Sequence, residues 1–162
     1  MITKVWINSK LYTEDIVGDT LLIDFIRTKG YLSVKRGCDT SNCGLCTVLA
    51  DGKPVLSCST LAVQMDGKHI LTLEGLEKEA KEFAKFMAAE GAEQCGFCSP
   101  GFIMNVLAMK KELINPTEDE ITKYLSGNLC RCTGYMGQLR AVKKFLCNKE
   151  ENKYEDSKQK LC

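Results

Sequence analysis

The sequence predicts an α+β protein in two halves. Three observations carry that reading: strand-like segments around one early helix up to about residue 75, helical periodicity from Leu76 to Leu146, and eight of the cysteines gathered into two sets of four. In a chain of 162 residues, each half is marginal for a core of its own. Bound metal groups are a common source of the missing stability.

In the first half, residues 3–8 and 11–16 carry Val, Ile, Trp and Tyr around the polar Asn8-Ser9-Lys10 and read as a hairpin. A helix follows, with Asp19 or Thr20 as its cap, Leu21, Leu22, Phe25 and Ile26 on one face, and Gly30 closing it in a left-handed conformation. Residues 47–50 and 55–57 flank Asp51-Gly52, a strong two-residue hairpin signal, and residues 70–73 supply one further strand.

In the second half, Ala80, Phe83, Ala84 and Met87 recur at helical spacing and predict a helix over 77–90, broken by Gly91. Ser99 can cap the next helix with Pro100 at its first position, and Lys110-Lys111 match its C-terminal dipole. Thr117-Glu118-Asp119-Glu120 is a capping box that opens a third helix, which stops at Gly127. A fourth, over 137–146, carries Leu139, Val142, Phe145 and Leu146. Four short helices make a small bundle, so the expected domains are 1–75 and 76–147, with 148–162 as a mobile charged tail.

The cysteines supply the chemistry. Cys38, Cys43 and Cys46 are spaced Cys-x4-Cys-x2-Cys with Cys58 farther on, the spacing of a plant-type [2Fe–2S] site. Gly37 and Gly44 suit a loop whose N–H groups approach sulfur closely. Zinc also takes four thiolates, but its usual sites pair two short knuckles, whereas Cys58 stands alone. The second set is Cys95 and Cys98, in Gln94-Cys95-Gly96-Phe97-Cys98-Ser99-Pro100-Gly101, together with Cys130 and Cys132. By spacing alone this set leaves iron and zinc both open.

Other residue types exclude more than they assign. With 22 basic residues against 21 acidic ones, charge provides no case for a nucleic-acid or membrane partner. No apolar run approaches membrane-spanning length. The N-terminus enters a strand without an export signal, so the ten cysteines are expected as reduced thiols of a cytoplasmic protein rather than as a disulfide framework. His69 is the only histidine, which rules out a Rieske-type pair and reads as a surface residue. Cys147 reads as a small apolar residue and Cys162 as an incidental thiol. Arg131, between two thiols, is either a charge partner or simply outward-facing. No Ser-His-Asp set or phosphate-cradling glycine loop is present, so this chain alone is expected to have no substrate chemistry.

Taken together, Gly37-Cys38-Asp39 with Cys43-Gly44-Leu45-Cys46, the Gln94–Gly101 stretch, and Gly127-Asn128-Leu129-Cys130-Arg131-Cys132-Thr133-Gly134-Tyr135 resemble the small iron–sulfur subunit of the molybdenum hydroxylases. That family includes the xanthine dehydrogenases and the aldehyde oxidoreductases. The resemblance implies an N-terminal β-grasp domain like a plant-type ferredoxin and a helical domain holding a second [2Fe–2S] cluster on Cys95, Cys98, Cys130 and Cys132. It also implies that Gln94 and Cys132 approach the pterin of a molybdopterin cofactor on a large partner subunit, and that a medium subunit carries FAD. The chain's end at Cys162 leads to the expectation that both are separate subunits of a heterotrimer. On this reading the chain is the electron-transfer subunit of an oxidoreductase complex, with a hydroxybenzoyl-CoA reductase-type subunit or a free-standing ferredoxin-like carrier as alternatives.

Overall fold

The computed structural model describes residues 1–147; the expected tail, with Cys162, lies outside the described residues. Five strands come from the first half: β1 Ile2–Ile7, β2 Lys10–Asp15, β3 Thr47–Ala50, β4 Lys53–Leu56 and β5 His69–Leu71. They form one sheet in the order β2-β1-β5-β3-β4, parallel between β1 and β5 and antiparallel elsewhere. Both hairpins turn through two residues at positive φ, Asn8 (47°) with Ser9 (70°) and Asp51 (48°) with Gly52 (84°). That geometry matches the strand twist. Helix α1, Leu22–Thr28, crosses one face, and Ile23 and Ile26 join Val5, Ile7, Val48 and Ile70 in a dry core. This is the expected β-grasp.

Neither Asp19 nor Thr20 caps α1. Leu21 occupies the N-cap without a side-chain bond, and backbone pairing with a distant segment replaces the cap. The Leu22 N–H donates to the Thr60 carbonyl and the Ala62 N–H to the Thr20 carbonyl, both at 2.8 Å. At the other end Gly30 takes a φ of 89°, as its type suggests. His69 is exposed and stacks on Trp6, with ring centroids 5.5 Å apart.

The second half folds as four helices, α2 Glu77–Ala89, α3 Ser99–Glu112, α4 Glu118–Leu125 and α5 Met136–Cys147. Their core centres on Phe83, which meets Phe145 at 4.9 Å and Phe102 at 6.1 Å between ring centroids. Leu49 of β3 also belongs to that core, so the helices pack onto the outer face of the sheet. The capping box of α4 is present: the Glu120 N–H donates to Thr117 Oγ1 at 3.3 Å, and the Thr117 N–H donates to Glu120 Oε2 at 2.7 Å. Helix α3 departs from expectation, because Cys98 is the N-cap residue and the Ser99 hydroxyl donates instead to Glu93 at 2.7 Å. Cys147 is half-buried at the end of α5 and has a partner, so it is more than a plain apolar residue.

Two glycines fasten the halves together. A Cβ at Gly101, in the first turn of α3, would lie 2.3 Å from the Gly44 carbonyl, and one at Gly44 would lie 2.3 Å from the Gly127 carbonyl. The loop of the first cysteine set is therefore clamped against α3 on one side and residues 127–128 on the other. Hydrogen in place of a side chain permits both approaches.

Candidate metal centres

Each cysteine set is delivered by loops at the ends of regular elements. Cys38, Cys43 and Cys46 lie between α1 and β3, and Cys58 follows β4. The sequence places Cys58 on the return strand, but β4 stops at Leu56 and a short 3-10 turn, Ser57–Ser59, takes over. The turn is held by the Ser57 hydroxyl, which donates to the Cys46 carbonyl at 2.7 Å. Cys95 and Cys98 precede α3, and Cys130 and Cys132 lie between α4 and α5.

Within each set the thiols meet two by two. In the first set Cys38 acts on Cys43, and Cys46 on Cys58. In the second set Cys98 pairs with Cys130, and Cys132 Sγ lies 3.7 Å from Cys95 Sγ. Among the described residues no three His, Cys, Asp or Glu side chains draw in on a single-ion position. A lone zinc ion demands four donors about one point, whereas a two-iron cluster is held by two ligands on each iron. Two pairs of thiols per set fit the second arrangement.

Protonation follows the pairing. The Cys38 thiol is lowered to about 6 by hydrogen bonds from Cys43 and from the backbone N–H groups of Asn42, Thr40 and Cys43, while burial raises its partner Cys43. Burial pushes Cys98 up to about 12, with Cys130 adding to the rise. Against its own burial, the Thr133 hydroxyl and the N–H groups of Cys132 and Thr133 hold Cys130 below the usual thiol range. In each of these two pairs one thiol is thus lowered and its partner raised. Metal loading must expel whatever protons the thiols carry, a coupling expected of thiolate ligands.

The two sets are neighbours. The Leu129 N–H, one residue before Cys130, donates to the Cys43 carbonyl at 2.9 Å. Asn128, almost fully buried, accepts from the Asn105 amide and donates to the Gly44 carbonyl at 3.4 Å, holding that bridge in place. A crevice lined by Cys43, Cys98 and Cys130 separates the sets. The other pair of the second set, Cys95 and Cys132, is exposed.

Gln94 is exposed, and its side-chain N–H donates to the Cys132 carbonyl at 3.3 Å, so these two predicted residues meet. Arg131 is exposed, as its outward-facing reading required. Sequence reasoning passed over Gln138, which is 3% exposed and donates from Nε2 to Cys98 Sγ at 3.9 Å. Its one signal was position: it stands four residues before Val142 and seven before Phe145, on the buried stripe of α5.

Two family models match the chain in succession and overlap at residues 72–83. Residues 6–83 match the 2Fe-2S iron-sulfur cluster binding domain and residues 72–143 match the [2Fe-2S] binding domain. The chain is 44% identical to the nicotinate dehydrogenase small FeS subunit of Eubacterium barkeri, over 75% of this chain and 80% of that one. It is 46% identical to the xanthine dehydrogenase iron-sulfur-binding subunit of Escherichia coli O157:H7, over 80% of this chain and 84% of that one. Among solved structures, a chain of quinoline 2-oxidoreductase from Pseudomonas putida 86 superposes with a TM-score of 0.80 at 38% identity, covering 88% of this chain and 90% of its own.

Proposed function

Because this chain belongs to the small iron–sulfur subunits of the molybdenum hydroxylase family, we propose that it is the electron-transfer subunit of such a complex, relaying single electrons between a molybdopterin centre and a flavin. Cys38, Cys43, Cys46 and Cys58 would hold one [2Fe–2S] cluster, and Cys95, Cys98, Cys130 and Cys132 the other. Bound, such clusters supply one-electron redox chemistry, with potentials set by net charge, hydrogen bonds to sulfur and exposure. The observation that carries the reading is the Leu129-to-Cys43 backbone bridge, which joins a residue adjoining one ligand set to a member of the other.

The chain's own residues orient the relay. Burial of Cys43 and Cys46 turns one side of the first site away from water, with Cys38 and Cys58 half-buried, while the exposed Cys95 and Cys132 present the second to a partner. Around that exposed pair the ligand loops show Phe97 (48% exposed), Leu129 (45%), Tyr135 (45%) and Met136 (58%). An apolar rim of this kind suits permanent burial against a partner better than the charged docking face of a free carrier. The partners would be a molybdopterin-binding large subunit and an FAD-binding medium subunit, in the cytoplasm. Among the described residues no helix is long and apolar enough to cross a membrane.

Metal analysis is the direct test. The purified chain should carry about four irons and four inorganic sulfides, since eight thiolates suit two two-iron clusters. A colourless chain holding zinc instead would refute the assignment.

Gln94 should act at the outward side. Its amide offers two donors and one acceptor, a match for the mixed edge of a pterin, and one donor is already spent on the Cys132 carbonyl. Gln94→Ala should leave both clusters assembled and slow reduction of the second cluster by substrate, the lost hydrogen bond being worth about 1–3 kcal/mol. Rapid-mixing electron spin resonance of the assembled complex would measure it. A parent-like rate at unchanged molybdenum content would reduce Gln94 to a loop residue.

A further inference from the structure

Gln138 is a buried amide at a position of α5 where an apolar side chain would fill the same space without losing contact with water. Its placement is explained by what it touches. Nε2 donates to Cys98 Sγ at 3.9 Å, and Oε1 lies 3.3 Å from the hydroxyl of Thr133. That hydroxyl lies 3.2 Å from Cys130 Sγ and accepts from the Tyr135 N–H at 3.3 Å. The amide orientation follows from the chemistry: a thiolate requires the N–H, which turns the carbonyl toward Thr133. Side-chain donors therefore converge on Cys98 and Cys130, the pair lining the crevice beside Cys43. Among the described residues, no side-chain N–H or O–H reaches the sulfur of Cys95 or Cys132.

We infer that Gln138, braced by Thr133, sets the reduction potential of the cluster held by the second cysteine set. The inference rests on the ligand assignment proposed above. One-electron reduction makes or breaks no bond at these residues and adds negative charge that the ligand sulfurs share. An N–H aimed at a ligand sulfur stabilises that added charge, so it favours the reduced form and raises the potential. Thr133 has a single proton for two acceptors, Cys130 Sγ and Gln138 Oε1: given to Gln138 it fixes the amide, and given to Cys130 it is that sulfur's side-chain donor.

The test is a redox titration of the native complex, with dithionite as reductant and the two clusters followed by electron spin resonance. Gln138→Leu keeps the bulk and removes the donor. At a fixed ambient potential it should lower the reduced-to-oxidised ratio of the second cluster about tenfold, a shift of about 59 mV for one electron, while the first cluster titrates as in the parent. Gln138→Glu keeps the size but presents oxygen in place of the N–H, and it should lower the ratio further. An exchangeable-proton coupling present in the parent cluster and absent from Gln138→Leu would identify the N–H directly. Parent-like titrations in both variants, each with full iron content, would overturn the inference and leave the ligand assignment standing. A parent complex with no second cluster would overturn both.

Discussion

Replacing Cys43 by alanine is expected to halve the iron content, from about four to about two, and to stop electrons reaching the flavin of the assembled complex. Cys43 combines two roles in one residue. Its sulfur pairs with Cys38 in the first set, and its carbonyl receives the Leu129 N–H from the second. Alanine deletes the sulfur and leaves the carbonyl, so the bridge and the second set's four thiols should survive. The first set is then left with Cys38, Cys46 and Cys58, one thiolate short of the four that a two-iron cluster takes. Substrate should still reduce the second cluster, giving one cluster signal in place of two. A Cys43→Ala complex that retained both signals, or whose flavin was reduced at the parent rate, would refute the order that the family resemblance implies and that we propose for this chain, molybdopterin to second set to first set to flavin.

Spacing along the chain made much of this legible. The Cys-x4-Cys-x2-Cys run, the Asp51-Gly52 turn and the Thr117–Glu120 box are local devices, decided by residues within a few positions of each other, and the structure contains each turn and cap as read. Features that depend on distant partners were not legible. Asp19, Thr20 and Ser99 have cap chemistry, yet backbone pairing with Thr60 and Ala62 serves the start of α1, and Glu93 takes the Ser99 hydroxyl. Which thiol meets which was equally hidden, because Cys95 finds Cys132 and Cys98 finds Cys130 only after α3, α4 and α5 have packed. Gln138 looked like an ordinary helical glutamine for the same reason. Its meaning lies in a sulfur forty positions away.

The seam between the halves should be the most sensitive point outside the ligands, and Gly44→Ala is the substitution that strains it. Gly44 has a φ of 72°, where an alanine costs about 1–2 kcal/mol in the backbone alone. Its new Cβ would also stand 2.3 Å from the Gly127 carbonyl and 2.6 Å from the Asn128 amide nitrogen. Forcing those loops apart adds the usual overpacking cost of about 1–3 kcal/mol. Gly52 separates the two contributions, because it also has a positive φ, 84°, but a Cβ there meets nothing within 4 Å. Gly52→Ala should therefore show the backbone cost alone. The larger loss in Gly44→Ala should appear as a lower melting temperature of the iron-loaded complex. It should also weaken the magnetic interaction between the two reduced clusters, since the displaced carbonyl and amide adjoin the Leu129-to-Cys43 bridge. Equal melting temperatures for the two variants, with an unchanged spin interaction, would show that the loops part without cost and that the contact at Gly44 does not hold the two centres in register.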